Sequence, residues 1–170
     1  MPRSFDLAAE YGGTVEQVHR AFSNEQYWLV RLEDSGADDV RLDEMTVEPD
    51  GGIRVKTTQI LRADRLPAVV TQFHRGDLRL VREETWSPLV DGQASAVVTG
   101  AIPGAPASLS GNALLVSADS GSRARMDLKA TVEVRVPLVG GKIENFIGNQ
   151  LVELLIAEQR FTTGWIAENG

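Results

Sequence analysis

Between Arg123 and Val136 the chain alternates without a break. Ala124, Met126, Leu128, Ala130, Val132, Val134 and Val136 fall on one side, and Arg123, Arg125, Asp127, Lys129, Thr131, Glu133 and Arg135 on the other. Successive side chains of a strand point to opposite faces, so this segment reads as a strand with one face on a core and one in water, as in an antiparallel sheet. It runs well past the usual length of about 5–6 residues, and a strand that long must bend with the twist of its sheet. The fold must therefore contain a curved sheet with an apolar concave side, and something must cover that side.

The cover follows directly. Pro137 stops the strand, Gly140-Gly141 turn a corner, and helical spacing runs over 142–167. At 100° per residue, Ile143, Ile147, Leu151, Leu154, Phe161 and Trp165 share one stripe. Such a helix is about 39 Å long at 1.5 Å per residue, enough to cross the whole concave face.

Upstream, 4–10 reads as a strand and Gly12-Gly13 break it. Thr14, with Gln17 three residues on, forms a capping box for a helix bearing Val15, Val18, Ala21 and Phe22. A second short helix is predicted over 24–32, holding Tyr27, Trp28 and Leu32, before an acidic loop at 33–39. Strands at 40–48 and 53–61 form a hairpin across Pro49-Asp50-Gly51-Gly52. In the first of them the apolar phase slips from Val40 and Leu42 to Met45 and Val47, which predicts a β-bulge near Asp43-Glu44. Residues 62–76, with Pro67 and then Val69 or Val70 and Phe73, predict a short helix or ordered loop at the sheet rim. Strands over 78–87, 93–102, 108–118 and 122–136 complete the count at about seven. The fold class is α+β, with helices segregated to one face of an antiparallel sheet, and 1–170 is expected to be a single domain. A strongly curved sheet closed by one helix does not fill its own middle, so an internal cavity is expected.

Several residues carry a family resemblance. They are Phe5 and Tyr11; Val15-Glu16-Gln17-Val18 with Ala21-Phe22; Tyr27-Trp28 with Arg31-Leu32; Leu66-Pro67; Asp77-Leu78; Glu84-Thr85-Trp86; and Gly140-Gly141-Lys142-Ile143-Glu144. With the order of elements, they make the chain resemble the START-like, or helix-grip, superfamily, which includes pollen-allergen-like proteins, lipid-transfer domains and polyketide cyclases. More narrowly it is similar to an actinobacterial branch of that superfamily. None of these residues forms a catalytic motif. The resemblance implies a ligand-binding fold with a tendency towards apolar ligands, and fold alone does not set function.

Composition removes several classes. The chain has no cysteine, which excludes disulfides, thiol catalysis and thiolate metal sites and fits a reducing compartment. Its first ten residues hold no apolar stretch of about 7–15 residues, and no run of about 18 apolar residues occurs anywhere, so a cytoplasmic protein without membrane insertion is expected. The net charge is −7, and the basic residues Arg123, Arg125, Lys129 and Arg135 are interrupted by Asp127 and Glu133, so no nucleic-acid partner is expected. His19 and His74 are the only histidines; no metal or other cofactor is expected. The acidic residues 34–44 lack the spacing of a calcium loop. The glycines at 100–104 lack the spacing of a phosphate loop, and no serine sits in a nucleophile elbow. No catalytic residue is assigned.

The informative residues are polar ones on apolar faces. Gln150 and Glu158 lie a turn to either side of Leu154 within the helix stripe. Glu158 either faces a wet cavity or a partner on the sheet, or snorkels at the stripe's edge. If it faces the cavity as a costly buried polar group, Glu158→Leu should leave the fold intact. Arg82 and Glu84 share a strand face with Leu78, Leu80 and Trp86, and whether that face is inward stays open. The cavity candidates are Arg82, Trp86, Met126, Gln150, Leu154 and Glu158, with Phe73 and His74 at the mouth; His19 is placed on the solvated side of its helix.

Three functions fit. The leading one is a carrier or sensor for an apolar or amphipathic small molecule, lipid, isoprenoid or polyketide-like. The second is a cyclase- or dehydratase-type enzyme acting on such a ligand, with Glu158 as its acid or base. The third is an interaction module with a collapsed core, presenting Tyr27 and Trp28 to a partner.

Overall fold

A computed structural model describes residues 2–72 and 74–169. The elements follow in the order β1 (Arg3–Tyr11), α1 (Val15–Phe22), α2 (Glu25–Asp34), β2 (Asp39–Val47), β3 (Ile53–Leu61), a 3-10 turn (Ala63–Arg65), α3 (Ala68–Thr71), β4 (Leu78–Trp86), β5 (Ala94–Ala101), β6 (Ala107–Ala118), β7 (Arg123–Val134) and α4 (Gly140–Asn169). The seven strands form one antiparallel sheet in the order β1-β7-β6-β5-β4-β3-β2. Only β1 leaves sequence order: it pairs with β7 from Arg3↔Val132 to Tyr11↔Ala124, and α1 and α2 connect it to β2 at the opposite edge.

Local chemistry sets the ends of these elements. The Thr14 hydroxyl accepts the Gln17 N–H at 3.2 Å, and the Gln17 side chain accepts the Thr14 N–H at 2.9 Å, closing the capping box of α1. Asn24 caps α2 through the Gln26 N–H at 2.9 Å. The β2–β3 turn passes through Gly51 at φ +100°, a conformation that favours glycine. The register of β2 slips between Leu42 and Glu44, so the expected bulge sits at Asp43. Its carboxylate accepts the Thr58 hydroxyl at 2.5 Å.

The long alternating strand keeps its expected facing. Ala124, Met126, Ala130, Val132 and Val134 are buried, while Arg123, Arg125 and Lys129 are exposed. It ends at Val134, two residues short of expectation, because the Val136 carbonyl already accepts the Gly140 N–H at 3.0 Å and belongs to the entry of the helix. The first turn of α4 is fastened there by Glu144, which is fully buried and accepts the Val134 N–H at 2.9 Å, with Arg3 Nε at 3.8 Å.

At 30 residues, α4 is about 45 Å long and spans the sheet. Its phase differs from the stripe of large apolar residues. The most buried positions are Gly140, Ile143, Glu144, Gly148, Leu155, Thr162 and Ile166. Apart from Ile143, they centre on a line rotated roughly 65° about the axis from the Ile147–Leu151–Leu154–Trp165 stripe. Small residues let the helix lie directly on β1: Gly148 rests on the Phe5 ring, where a Cβ would collide with it. Nearer its end, the Thr163 hydroxyl accepts the Gly12 N–H at 3.0 Å.

His19 departs from expectation, and Tyr27 and Trp28 depart from the interaction-module reading. His19 is 6% exposed rather than solvated, and its Nε2 lies 2.9 Å from the Ser87 carbonyl oxygen. The end of β4 covers the side of α1 that carries it. Tyr27 and Trp28 are 0% and 2% exposed, so they present no surface to a partner. They pack edge to face at 5.3 Å between ring centres, and Phe22 bridges them to Trp86 at 5.1 Å.

Candidate functional site: a cavity with a charge-balanced end

Where the large residues of α4 leave the sheet, a cavity of about 690 Å³ opens. Its walls come from the concave face of β3 to β7 and from one face of α4, and they are mainly aliphatic: Leu80, Val98, Leu109, Leu128 and Leu155 among them. The segment after β3 contributes Arg65, Leu66, Pro67 and Val70. The half-exposed stripe on α4 is thereby explained, because Ile147, Leu151 and Leu154 face cavity space rather than a filled core.

The structure brings Arg82, Trp86, Met126, Gln150, Leu154 and Glu158 together around this space. Gln150 is exposed, at the margin. His74 does not line the cavity. The chain turns sharply after α3 through Gly76 at φ +83°, and His74 Nε2 is engaged by the Asp77 carbonyl at 3.1 Å. Phe73 lies outside the described residues. The facing of β4 is settled: Leu78, Leu80, Arg82, Glu84 and Trp86 all border the cavity.

Arg82 and Glu84 are tolerated there because two helices complete their set. Glu158 of α4 accepts two hydrogen bonds from Arg82, Nη1 to Oε2 at 2.8 Å and Nη2 to Oε1 at 2.9 Å. Arg31 of α2 places Nη2 2.6 Å from the same Oε1. Glu84 Oε2 lies 3.0 Å from Arg82 Nη2 and 3.9 Å from Arg31 Nη2, and Glu84 Oε1 accepts the Trp86 indole N–H at 3.2 Å. Two guanidiniums thus face two carboxylates, and the cluster sums to zero.

A neutral relay extends it. Arg31 Nη1 donates to the Tyr27 hydroxyl at 3.1 Å. The Thr162 hydroxyl donates to the Glu158 carbonyl at 2.7 Å, so its oxygen is left to accept from Tyr27 at 2.6 Å. Arg31 also lies 4.6 Å from the centre of the Trp28 ring, a cation–π contact. On the far side of the cluster a space of about 60 Å³ between α2 and α4 has room for ordered water.

The charges are firmly held. Burial works to raise the Glu158 pKa, but Arg31 and Arg82 overcome it and hold the carboxyl down at about 2. Burial works against both guanidiniums, and the facing carboxylates, Glu158 first, more than compensate, so both are more basic than usual. Glu158 is therefore a permanent anion at neutral pH and a poor general base, since efficient proton transfer needs a pKa near the working pH.

Sequence reasoning missed Arg31 as a site residue. It sits on a helix with little amphipathic contrast, and only the packing of α2 against α4 carries it to Glu158. Among the described residues no three His, Asp or Glu side chains come together as a metal-binding group, and no helix is long and apolar enough to cross a membrane.

Over residues 6–166 the chain matches the model of a family described as "Protein of unknown function (DUF2505)". The chain belongs to that family. It is 47% identical over 173 residues to the uncharacterized protein Rv0481c of Mycobacterium tuberculosis, covering 99% of both chains. Among solved structures, the fold is similar to the Zhui aromatase/cyclase of a Streptomyces species, with a TM-score of 0.61 and 11% identity over 99% of this chain and 95% of that one. It is also similar to a START superfamily protein of Mycobacterium smegmatis, with a TM-score of 0.54 and 12% identity over 98% and 99% of the two chains. At these identities the likeness is one of fold. The helix-grip, START-like architecture is thereby established for this chain.

Proposed function

We propose that this protein binds one apolar or amphipathic small molecule in the cavity between α4 and the sheet and serves as a carrier or sensor for it. The observation that carries this reading is the cavity itself. At about 690 Å³ it lies within the range of roughly 300–1,000 Å³ usual for small-molecule sites, and its walls are mainly aliphatic, with the charges of Arg31, Arg82, Glu84 and Glu158 grouped together. Space walled in this way is poorly suited to water, and an apolar ligand that fills it removes that apolar surface from water.

The enzyme reading has less support. Its one acid–base candidate, Glu158, is locked between two arginines with a pKa of about 2. The interaction-module reading loses its surface, because Tyr27 and Trp28 are core residues. The test is native mass spectrometry of the purified protein followed by solvent extraction. A single bound compound per chain, released unchanged, is the expected result. Protein that emerges empty and takes up no member of a panel of fatty acids, alcohols, isoprenoids and sterols would overturn the reading.

A further inference from the structure

The cluster at the polar end satisfies itself, but one group beside it does not. Tyr11, at the end of β1, is 1% exposed and borders the cavity. The next residue, Gly12, is bonded to Thr163, beside the Thr162 that bonds Tyr27, and Tyr11 lines the same cavity as Arg31, Arg82, Glu84 and Glu158, so it lies at the cluster's side of the cavity. Yet among the described residues that hydroxyl forms no hydrogen bond. Nor is it sealed in the packing, since it is not one of the side-chain polar atoms cut off from all space and partners. The only other tyrosine, Tyr27, has both its bonds made, to Arg31 and Thr162. A buried hydroxyl without a partner is costly, and phenylalanine would fill the same space without that cost. The group is therefore left to bond whatever fills the cavity beside it.

We propose that the Tyr11 hydroxyl anchors the ligand, and that it selects an uncharged oxygen head, an alcohol or a ketone, over a carboxylate on the same chain. This inference rests on the cavity-binding reading above. The selection follows from the charge count. Arg82 is committed to Glu158 and Glu84, and Arg31 to Glu158 and Tyr27. A ligand carboxylate would bring a third anion to a place with no uncommitted cation, and its desolvation would go unanswered. Burial, reinforced by Tyr27, raises the phenol pKa far above neutrality, so Tyr11 remains an O–H donor. An alcohol or ketone oxygen can accept that hydrogen without disturbing the cluster, while the aliphatic walls take its chain.

The experiment compares the wild-type protein with Tyr11→Phe, titrated with tetradecane, tetradecanol and tetradecanoate and followed by tryptophan fluorescence, to which Trp86 contributes from the cavity wall. The wild type should prefer tetradecanol to tetradecanoate. Tyr11→Phe should weaken tetradecanol by about 3- to 10-fold, the usual worth of one hydrogen bond, and leave tetradecane unchanged. Equal weakening of both, no change in either, or a wild-type preference for tetradecanoate would overturn the anchoring role while leaving the cavity reading intact. A wild type that binds none of the three would overturn the anchoring role, and the cavity reading falls with it only if the wider panel also fails to bind. In the ligand-free proteins the denaturation midpoint of Tyr11→Phe should equal or exceed that of the wild type. A clear drop would mean that the hydroxyl has a partner within the protein, and the inference would fall.

Discussion

Arg82 and Glu158, 76 positions apart in the chain, meet through two parallel N–H···O bonds of 2.8 and 2.9 Å. This fork-to-fork pairing ties the middle of the sheet to the middle of α4, and Arg31 closes it from α2.

The pairing reverses what the sequence implies for Glu158→Leu. Removing this carboxylate leaves two buried guanidiniums facing Glu84 alone. Breaking a buried pair from one side costs about 3–5 kcal/mol, and urea denaturation of Glu158→Leu should register a loss of that order. The double variant Arg82→Met with Glu158→Leu leaves Arg31 opposite Glu84, one charge against one, and should recover part of the loss. A double variant no more stable than the single one would show that charge balance is not what holds the cluster.

Acid should weaken the fold through the same residue. The Glu158 pKa is held at about 2 in the folded protein against 4.5 for an ordinary glutamate, so the folded state binds fewer protons in between. The stabilisation is therefore complete above about pH 5 and is lost as the pH falls through about 2. A shift of this size is worth about 3 kcal/mol. Because other carboxylates titrate in the same range, the measurement is a difference: stability against pH for the wild type minus that for Glu158→Gln. The difference should shrink towards low pH, and a flat one would place the pH dependence elsewhere.

Phe161 tests the packing of α4. Its ring lies 5.6 Å from that of Tyr27 and stacks on Trp165 at 6.3 Å, but it is only half-buried. Phe161→Ala should destabilise by about 3 kcal/mol, at the lower end of the range for buried aromatics. A loss well under 1 kcal/mol in chemical denaturation would mean that this face of the helix carries little of the packing.

His19 tests the joint between α1 and β4. Its ring nitrogen meets the Ser87 carbonyl at 2.9 Å in a buried setting. His19→Ala removes that bond and leaves a partly buried carbonyl unanswered, so a loss of about 2 kcal/mol is expected. His19→Ala with unchanged stability would return the residue to the solvated role its helical position implies.

The contrast between strands and helices explains what could be read from the chain alone. β3 lies over the residues expected, and the bulge at Asp43 was visible as a slip of phase, because strand periodicity is strict and each face has one environment. β4 was ambiguous because its inward face carries Leu78, Leu80 and Trp86 together with Arg82 and Glu84, and alternation cannot tell a charged interior from a bulge. The partners that resolve it, Arg31 and Glu158, lie on helices whose packing angles no local pattern encodes. On α4 Ile147, Leu151 and Leu154 mark the cavity, while the tightest contacts fall to Gly140, Gly148 and Thr162, which carry no hydrophobic signal. Tyr11 was legible as a family residue but not as a site residue, since its role depends on bonds it does not make.

Gly148 does not line the cavity, yet it rests on the Phe5 ring with no room for even a methyl group. The headroom under α4 is thus set by an absent atom. An alanine at this position would act as a shim, lifting the helix from β1 and opening the interior at the expense of its seating. The dimensions of the chamber are governed from a point no guest molecule reaches, so its capacity can be retuned without altering a single wall residue.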